Sequence, residues 1–581
     1  MEHRADLRTG ASTAAQHEFV VGQVRTDGEF DATARLRDIH ANSLDCDRAA
    51  DAPRVLHISL YCYKSFPARI FHAMCLKDGM DSFALFFKNN FTNHQLPVTE
   101  RELDLAADLV RGINPDVITM SIMAPYAVAA RELVARLRKI TDAPIVVGGK
   151  YPTIVPHEAL AFADFACKGE GDLTMLRINE RLRRGEDLRG IKGLWYKDDD
   201  GRVVDMGQDV LYQEMDDIPY PAIDEPNMYF IEKDRLERVD PEIYDHDILV
   251  MAGRGCVYLC SFCVNSLLIP MNRGNGRFVR LRSADHVMEE LDYRMAKYKD
   301  PRTVTFNDEV FGIFDDWVEE FSNKYKERCG LPFECELVPR LIKENNIRRL
   351  SEAGMFSLHF GVQSGHDDTR KDIMHRPGTN KELLDKSRML HANGIEPQYD
   401  IILDNPFDTA DSLADALGLL IDFGTPINLN TYKMQYFPHY PFTNMALEAG
   451  YITPEDVTDE KVADSVLNNM VYRPKFPAFN RRDYLENCIY LIPWHGRLVR
   501  GIVTSLQKRH NPLLGVLATM LAKLRYWQSF QHVGAVVWAR RVYLGLGLLL
   551  RGDIGTFAVR CREVLKKVRY QQTNTGRLSA R

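Results

Sequence analysis

Residues 255–263 read GCVYLCSFC, and they follow shortly after the apolar run ILVM of residues 248–251. The spacing C-x3-C-x2-C puts Cys256, Cys260 and Cys263 on one loop, where their sulfurs can reach three corners of a cubane. Four cysteinates close a [4Fe-4S] cluster or a structural zinc site, whereas three leave one iron open to bind and reduce a further molecule. The pattern therefore favours an iron–sulfur cluster with an open iron.

Two other interpretations of the same cysteines remain open. A zinc site would be expected to show paired C-x2-C units or added histidines, and His246, which is close in sequence, precedes the apolar strand and would have to fold back. Alternatively, the three cysteines are buried free thiols with a packing role.

With Phe262 directly before the last cysteine, the motif resembles the signature of the radical S-adenosylmethionine (SAM) superfamily. In that family the aromatic side chain packs against the adenine of SAM, and the amino and carboxylate groups of SAM chelate the open iron. The resemblance implies that one electron from the cluster cleaves SAM to methionine and a 5′-deoxyadenosyl radical, while the protein holds the cofactors and excludes water. It also implies an external electron donor of the flavodoxin or ferredoxin type.

The composition is that of a multidomain globular enzyme. A chain of 581 residues is too long for one hydrophobic core, so we expect about two to four domains. Its 45% hydrophobic and 27% charged residues are ordinary for a soluble protein. Eleven cysteines without a regular framework, and a start (MEHRAD) that lacks a signal peptide, predict a reducing cytoplasm, which suits an oxygen-labile cluster.

Charge is distributed unevenly along the sequence. Residues 497–581 contain sixteen Lys and Arg against two acids, so this tail carries a formal charge of +14 in a chain whose net charge is −7. A basic tail on an acidic body suggests an anionic surface as partner.

Strands alternate with helices in two successive series. The first, at residues 53–193, predicts a doubly wound, Rossmann-like parallel sheet, and the second, at residues 246–445, predicts an open (β/α)6 barrel. Residues 194–245 are interpreted as a connector, residues 1–52 as a polar, mobile extension, and residues 446–581 as a helical basic region. The predicted fold class is therefore α/β, with ligands at the carboxyl ends of the strands.

Two glycine-containing loops follow strands of the first series. GGKYPT at residues 148–153 and GEG at residues 169–171 are weak signals alone, because glycine after a strand is usually just a turn. Together and in this order they resemble the cobalamin-binding domain that precedes the barrel in one large radical SAM subfamily. The resemblance implies cobalamin contacts from Ser121, Gly148, Gly149, Tyr151, Pro152, Gly169, Glu170 and Gly171. The alternative is a domain of this fold that has lost its ligand.

One departure from that subfamily concerns the cobalt ligand. Many cobalamin domains place a histidine under cobalt with the pattern D-x-H-x-x-G, whereas the corresponding loop here reads YCYKSF at residues 61–66. His57 lies inside the preceding strand and is interpreted as a core residue. We therefore expect a corrinoid without a histidine ligand from this motif, which would be easier to reduce to Co(I).

The barrel strands also end in polar residues that resemble the family's SAM site. The resemblance implies that Asp308 and Glu309, after the second strand, hold the SAM amino group through charge-assisted hydrogen bonds. Gln363 and Ser364, in the motif GVQSG, correspond to residues near the SAM ribose and carboxylate. Arg340 is a candidate for the carboxylate, with a surface arginine as the alternative.

Residues 435–443 resemble the segment that closes the barrel in this family, but Phe442 replaces the glycine of the family pattern. The departure affects the expected geometry of that loop and leaves the fold unchanged. The resemblance as a whole covers residues 53–445.

The C-terminal region matches no motif and is helical, apolar and basic from about residue 497. Apolar residues of 512–527 recur close to one helix face. Two runs without charged residues follow, 526–539 and 542–550, and because Arg540 and Arg541 separate them, neither is long enough to span a bilayer. These helices are expected either to pack on the barrel or to lie on the inner membrane surface, which would make a cytoplasmic protein peripheral. No nucleic-acid partner is expected, because no recognition module is present.

The combination of cofactors predicts the reaction. The resemblance implies a cobalamin-dependent radical SAM methyltransferase: Co(I) takes a methyl group from one SAM, a second SAM yields the radical that removes hydrogen from an unactivated carbon, and the substrate radical takes the methyl group from cobalt. We expect a small-molecule substrate, either a lipid or a natural product. Two alternatives remain open: a cyclisation or rearrangement enzyme of the same subfamily without methyl transfer, and a cobalamin-binding sensor with a degenerate barrel.

Overall fold

The structure is a computed structural model that describes residues 20–21, 30–41, 51–89, 97–424, 427–494 and 496–530. The chain divides into two units, Met1–Tyr472 and Arg473–Arg581, and both β/α series lie in the first. Among the described residues, no helix is long and apolar enough to cross a membrane.

The first series folds into a ten-stranded sheet. Its strands are β1 (Val20–Val21), β2 (Arg54–Leu60), β3 (Asp81–Phe87), β4 (Val117–Ser121), β5 (Ile145–Gly148), β6 (Phe165–Cys167), β7 (Leu194–Lys197), β8 (Val203–Asp205), β9 (Met228–Glu232) and β10 (Arg235–Glu237). They lie in the order β1-β8-β7-β6-β5-β4-β2-β3-β9-β10, and β2 to β6 are mutually parallel. β2 is buried at every position after Arg54, as expected for a parallel strand with helices on both faces.

Helices pack on both faces of this sheet, so the predicted doubly wound fold is confirmed. These helices are α1 (Ala32–Ala41), α2 (Phe66–Lys77), α3 (Glu100–Ile113), α4 (Ala127–Leu137), α5 (Lys150–Ile154), α6 (Pro156–Ala159) and α7 (Asp172–Arg183). α3 shows why they form: it begins at a capping box of Thr99 and Glu102, and its apolar face buries Leu103, Ala106 and Val110 in the core of the sheet.

Two parts of the chain differ from the predicted organisation. Residues 32–41, assigned to a mobile extension, form α1, whose fully buried Leu36 and Ile39 pack in one core with residues of α2 and α7. The sequence does not reveal this helix, because it offers too few apolar positions for a period to be recognised. Residues 194–237, assigned to a connector, supply β7 to β10 at the two edges of the sheet.

The second series forms a six-stranded parallel sheet in sequence order, which is the arrangement of the predicted open (β/α)6 barrel. The strands of this part are β11 (Asp247–Val250), β12 (Gly253–Arg254), β13 (Arg280–Leu281), β14 (Thr303–Phe306), β15 (Phe333–Leu337), β16 (Met355–Gln363), β17 (Glu396–Leu403) and β18 (Asn428–Lys433). The order is β11-β14-β15-β16-β17-β18, while β12 and β13 form a separate antiparallel hairpin that brackets the cysteine motif.

The two faces of this sheet differ in polarity. On β15, Phe333, Cys335 and Leu337 are buried on the outer face, whereas Glu334 and Glu336 point to the inner face. Helices cover the outer face; they are α9 (Ala284–Lys297), α10 (Asp315–Arg328), α11 (Glu344–Glu352), α12 (Asn380–Ala392) and α13 (Ala410–Asp422), and the shorter α8 (Asn265–Met271), α14 (Pro441–Glu448) and α15 (Asp459–Asn469) complete this part. Cys335 is thus a packed core thiol.

A buried charge network joins the first domain to the barrel. Arg69 on α2 donates to the two carboxylate oxygens of Asp240 at 2.8 and 2.7 Å, and Arg294 on α9 donates to Glu242 at 2.9 Å and to Glu290 at 2.6 Å. The backbone N–H of Glu242 donates to Asp240 at 3.0 Å and links the two pairs. None of the five side chains is more than 1% exposed, so each charge depends on its partner.

The second unit is a small helical assembly. It contains α16 (Arg481–Leu491), α17 (Arg497–Lys508) and α18 (Pro512–Phe530). α18 approaches α16 closely at Gly515, where an added Cβ would lie 2.4 Å from the Tyr484 ring. The helical character predicted for this region is confirmed, while the charge-free runs from residue 531 onward lie outside the described residues.

Candidate functional site

The cysteine motif forms the loop between β12 and α8. At Gly255 the backbone has a φ of +94°, and an added Cβ would lie 2.3 Å from the carbonyl oxygen of Phe278 on the returning strand, so only glycine fits. Cys260 is buried, and Cys256 and Cys263 are half-buried. The three cysteines lie close enough for the charges of Cys260 and Cys263 to act on Cys256.

The three thiols influence one another electrostatically. Burial raises the pKa of Cys256 to about 11, and the charges of Glu309, Cys263 and Cys260 add to the increase. In the described part of the chain, no three His, Cys, Asp or Glu side chains converge on a single point as a lone metal ion would require. Three cysteines on one short loop are a donor set that fits a [4Fe-4S] cluster, which gives each cysteine its own iron and stabilises the thiolates.

Neighbouring segments hold the loop in place. Arg376 points one guanidinium nitrogen at the Cys260 sulfur at 3.6 Å and donates the other to the carbonyl oxygen of Gly361 at 2.8 Å. The backbone N–H of Ser261 donates to the carbonyl oxygen of Met374 at 3.0 Å, and the Ser261 hydroxyl donates to the carbonyl oxygen of Ile373 at 2.6 Å. Arg376 could not be predicted from the sequence, because nothing local distinguishes it from other arginines.

Phe262 and Phe442 share one apolar cluster. Phe262 is half-buried against Met374, Met434 and Phe442, and Phe442 is 1% exposed. The backbone N–H of Phe442 donates to the carbonyl oxygen of Ser261 at 3.0 Å. The residue that departs from the family pattern therefore packs under the cysteine loop, and the stacking of Phe262 on adenine stays a prediction.

Asp308 and Glu309 occupy different environments. Asp308 is 2% exposed, and its Oδ2 accepts the backbone N–H of Ala252 at 3.0 Å, while burial raises its pKa to about 7. This carboxylate stabilises the turn between β11 and β12. The contact between Asp308 and the SAM amino group stays a prediction.

Glu309 lies where the two domains meet. One of its oxygens accepts a hydrogen bond from Asn265 Nδ2 at 2.8 Å, and the other lies 3.5 Å from the ammonium nitrogen of Lys150 in the GGKYPT loop. Its negative charge also raises the pKa values of Cys256 and Cys263. Glu309 is therefore the better placed of the two carboxylates for an ammonium group beside the cysteines.

The GVQSG motif closes the fourth barrel strand tightly. An added Cβ at Gly361 would lie 2.7 Å from the Arg376 guanidinium, and one at Gly365 would lie 2.4 Å from the Cα of Ala416 on α13. Between the two glycines, Gln363 has a φ of +63°, and the buried Ser364 accepts a backbone hydrogen bond at 3.3 Å. These positions are compatible with the SAM contacts predicted for Gln363 and Ser364.

Arg340 is exposed at the end of the strand that precedes this motif. Its charge acts on Tyr258 in the cysteine loop and partly offsets the rise that burial causes in the tyrosine's pKa. Arg340 is therefore within electrostatic reach of the loop, and its contact with the SAM carboxylate stays a prediction.

The predicted cobalamin loops lie side by side at the carboxyl edge of the first sheet. At Gly149 the φ is +101°, and an added Cβ would lie 2.7 Å from Ile122 O and 3.3 Å from Ser121 Oγ. The Thr153 hydroxyl donates to Gly149 O at 2.8 Å and accepts the N–H of Gly169 at 3.1 Å, which ties the two loops together. This cradle, which a side chain would fill, fits the close approach of a bulky corrinoid.

Other predicted cobalamin residues serve the surrounding structure. Tyr151 is 2% exposed, and its hydroxyl donates to Asp459 on α15 at 2.5 Å; Pro152 is also buried. At Gly171 an added Cβ would lie 2.9 Å from the Phe71 ring. Gly148 ends β5 beside Ser121. The contacts of these residues with cobalamin stay predictions.

His57 is buried inside β2, as interpreted from the sequence. Its Nδ1 lies 2.7 Å from the Thr119 hydroxyl, and burial lowers its pKa well below the ordinary value, with the nearby His72 adding to the effect. A neutral histidine fixed in this way serves the core of the sheet.

Replacing Gly149 by alanine should weaken hydroxocobalamin binding by about tenfold or more, because the added methyl group must displace backbone and the positive φ is strained. The measurement is equilibrium dialysis of the full chain monitored by corrinoid absorbance. Gly185→Ala is the matched control: its φ is +63° but no atom lies within 4 Å of the added Cβ. Equal affinities for both variants would exclude a role of the Gly149 cradle.

The inner face of the barrel is polar. His359 lies between Asp400 and Glu334, which raise its pKa to about 10, and Asn430 donates to Asp400 at 2.8 Å. Solvent reaches Glu336, yet enclosure by its neighbours raises its pKa to about 7, with the charge of Asp400 adding to the shift. None of the described side chains donates a hydrogen bond to Glu336. The inner face of the barrel is therefore suited in polarity to a substrate with polar groups.

Comparisons with known proteins agree with this geometry. Residues 250–420 match the radical SAM superfamily, and residues 64–179 match the B12 binding domain. The chain therefore carries both domains that the sequence analysis predicts, and the cofactors that these domains use are a [4Fe-4S] cluster, SAM and cobalamin.

One relative and two solved structures illustrate the likeness. An uncharacterized methyltransferase of Pyrococcus horikoshii is 23% identical over 345 residues, which is 58% of this chain and 70% of that protein. The radical SAM methyltransferase TsrM from Kitasatospora setae aligns with a TM-score of 0.54 at 16% identity, over 68% of this chain and 76% of that chain. The cobalamin-dependent SAM radical enzyme OxsB aligns with a TM-score of 0.57 at 15% identity, over 86% and 76%. The two structures confirm the predicted fold.

Proposed function

We propose that this radical SAM enzyme, which also carries a cobalamin-binding domain, methylates an unactivated carbon of a lipid or natural-product substrate. The observation that carries the proposal is the meeting of the two cofactor loops: Lys150 of the GGKYPT loop lies 3.5 Å from Glu309 beside the cysteine motif. A methyl group and a hydrogen-abstracting centre must act on the same substrate atom, so their sites must face each other across a short space.

The chemistry of the substrate explains the presence of both cofactors. Polar methyl transfer requires a nucleophilic acceptor, and a saturated carbon is not a nucleophile. When bound, the cluster and SAM supply homolytic bond cleavage, and the corrinoid supplies the methyl group.

The residues of the chain bind and orient these groups. Glu309 is placed to hold the SAM ammonium, the Gly149 cradle admits the corrinoid, and Arg376 donates toward the sulfur of Cys260. The apolar cluster of Phe262 and Phe442 excludes water on one side of the cysteine loop. The inner face of the barrel offers His359, Asp400 and Glu336 as polar groups for a substrate.

The test is an anaerobic assay of the reconstituted enzyme with SAM labelled as a trideuteromethyl donor. Extracts from cells with and without the gene, compared for both lipids and polar metabolites, identify the substrate. We expect 5′-deoxyadenosine, S-adenosylhomocysteine and a product heavier by the labelled methyl group. Deoxyadenosine with neither S-adenosylhomocysteine nor a labelled product would contradict methyl transfer and favour ring formation or rearrangement. The relative in Pyrococcus horikoshii, described as a methyltransferase, supports the first outcome.

We also propose that the second unit binds an anionic membrane surface. Apolar side chains at helical spacing on α18 are solvent-exposed; they are Leu513, Leu517, Met520 and Leu524. Residues 497–530 contain basic residues and no Asp or Glu, so charge complementarity favours an anionic lipid surface. A lipid substrate would be taken from the same surface.

Flotation of the full chain with vesicles tests this contact. We expect co-flotation with phosphatidylglycerol vesicles that is lost in high salt and reduced at least about fivefold by L513E/L517E, because both the apolar stripe and the charges contribute. The control is R138Q, which removes a cation on the surface of the first domain. Unchanged flotation of L513E/L517E would contradict the contact.

A further inference from the structure

The hairpin that brackets the cysteine loop carries two arginines directly opposite each other. Arg254 on β12 pairs in register with Arg280 on β13, and Arg254 precedes Cys256 by two residues. Two like charges at paired positions of an antiparallel hairpin repel each other. The hairpin therefore depends on negative charge from another part of the chain.

The GEG loop of the first domain supplies that charge. Asp172 accepts two hydrogen bonds from Arg254, at 2.7 and 3.1 Å, in a bidentate arrangement. Glu170 accepts from Arg254 at 3.1 Å and from Arg280 at 3.0 Å, and its second oxygen also accepts from Arg280. We call these four residues the hairpin clamp.

The clamp is enclosed in protein. Asp172 and Arg280 are each 4% exposed, so their interaction is little screened by water or salt. Glu170 is among the residues predicted to contact cobalamin, and both of its carboxylate oxygens accept hydrogen bonds from the arginines. Glu170 is therefore held against the hairpin, and its contact with cobalamin stays a prediction.

A continuous path of hydrogen bonds connects the two predicted cofactor loops. Gly149 O accepts from the Thr153 hydroxyl, which accepts from the N–H of Gly169, and the next residue, Glu170, holds Arg254 and Arg280. Any ligand that fixes the GGKYPT and GEG loops must also restrict the strand that leads into the cysteine motif.

We propose that the hairpin clamp couples the two cofactor sites, with Glu170 as a positioning residue. Cobalamin binding restricts the GEG loop, the clamp transmits this restriction to the cysteine loop, and the cluster in turn strengthens cobalamin binding, because such coupling is reciprocal. The inference rests on the proposed function only in requiring that both cofactors bind to this chain.

Hydrogen–deuterium exchange of the full-length, cluster-containing enzyme tests the coupling. Peptides covering residues 253–263 are compared with and without hydroxocobalamin, in the wild type and in E170Q. We expect cobalamin to slow exchange of these peptides by about fivefold or more in the wild type and to have no such effect in E170Q, with hydroxocobalamin added to a concentration at which corrinoid absorbance after dialysis shows that the variant is saturated. E225Q is the matched control, because it removes the ion pair between Glu225 and Lys297, away from both loops.

Each outcome separates this inference from the proposed function. Equal protection in the wild type and E170Q would overturn the coupling, while methyl transfer could persist. Absence of hydroxocobalamin binding by the wild type would instead overturn the proposed function. If circular dichroism shows that E170Q does not fold, R280K is measured instead. This substitution keeps the positive charge but loses the forked guanidinium. We expect R280K to bind cobalamin, and cobalamin to slow the exchange of the peptides covering residues 253–263 only weakly. Full protection in R280K would overturn the proposal.

Discussion

Replacing Cys260 by alanine should abolish the iron–sulfur absorbance of the reconstituted protein and lower SAM cleavage by at least about a thousandfold, because two remaining cysteines cannot hold the cluster as a unit. Cys260 is the only buried cysteine of the three, and Arg376 donates toward its sulfur. The loss of this anchor therefore removes the most enclosed corner of the site.

The measurements are iron and sulfide content and the anaerobic yield of 5′-deoxyadenosine. Cys488→Ala is the matched control, since Cys488 is equally buried but lies in α16 of the second unit. We expect this control to retain the cluster. Retention of the absorbance and of SAM cleavage in C260A would show that the motif is not the cluster site.

The second large effect is expected at Glu309. Glu309→Gln should weaken SAM binding to the cluster-containing enzyme by about 10- to 100-fold, because a charge-assisted hydrogen bond to the ammonium group becomes a neutral one. The substitution keeps the shape of the side chain and an oxygen for the Asn265 amide, so the loop should remain in place. Isothermal titration with SAM under anaerobic conditions measures the change.

Asp308→Asn is the control for this prediction. Its carboxylate is buried and bound to the backbone N–H of Ala252, and an asparagine oxygen can accept the same hydrogen bond. We expect SAM affinity within about twofold of the wild type, since the neutral side chain can keep the hydrogen bond to the Ala252 backbone. A larger loss of affinity in D308N than in E309Q would reverse the assignment of the two carboxylates.

The sequence predicts the fold well where the pattern is strong. Buried parallel strands such as β2 appear as continuous apolar runs, and helices such as α3 show a clear period and a capping box. The prediction fails for α1 and for β7 to β10, which are short and gain their stability from the elements beside them. Tertiary packing decides such elements, and a single sequence carries little trace of it.

The candidate site divides in the same way. The cysteine motif and the two glycine loops could be predicted, because each lies within a few consecutive residues. Arg376 and the hairpin clamp could not, because they join residues that are far apart in sequence: Arg376 lies 116 positions from Cys260, and Glu170 lies 84 positions from Arg254. Glu170 belongs to a recognisable motif, but its hydrogen-bond partners Arg254 and Arg280 cannot be predicted from that motif.

The buried network of Arg69, Asp240, Glu242, Glu290 and Arg294 limits how this enzyme can be engineered. Removing one partner from such a network costs about 3–5 kcal/mol, a large part of the stability of an ordinary domain. A chimaera that joins the first domain of one homologue to the barrel of another would leave several of these buried charged side chains without their partners. The first domain and the barrel therefore cannot be exchanged independently. A functional hybrid has to take all residues of this buried network from the same parent protein.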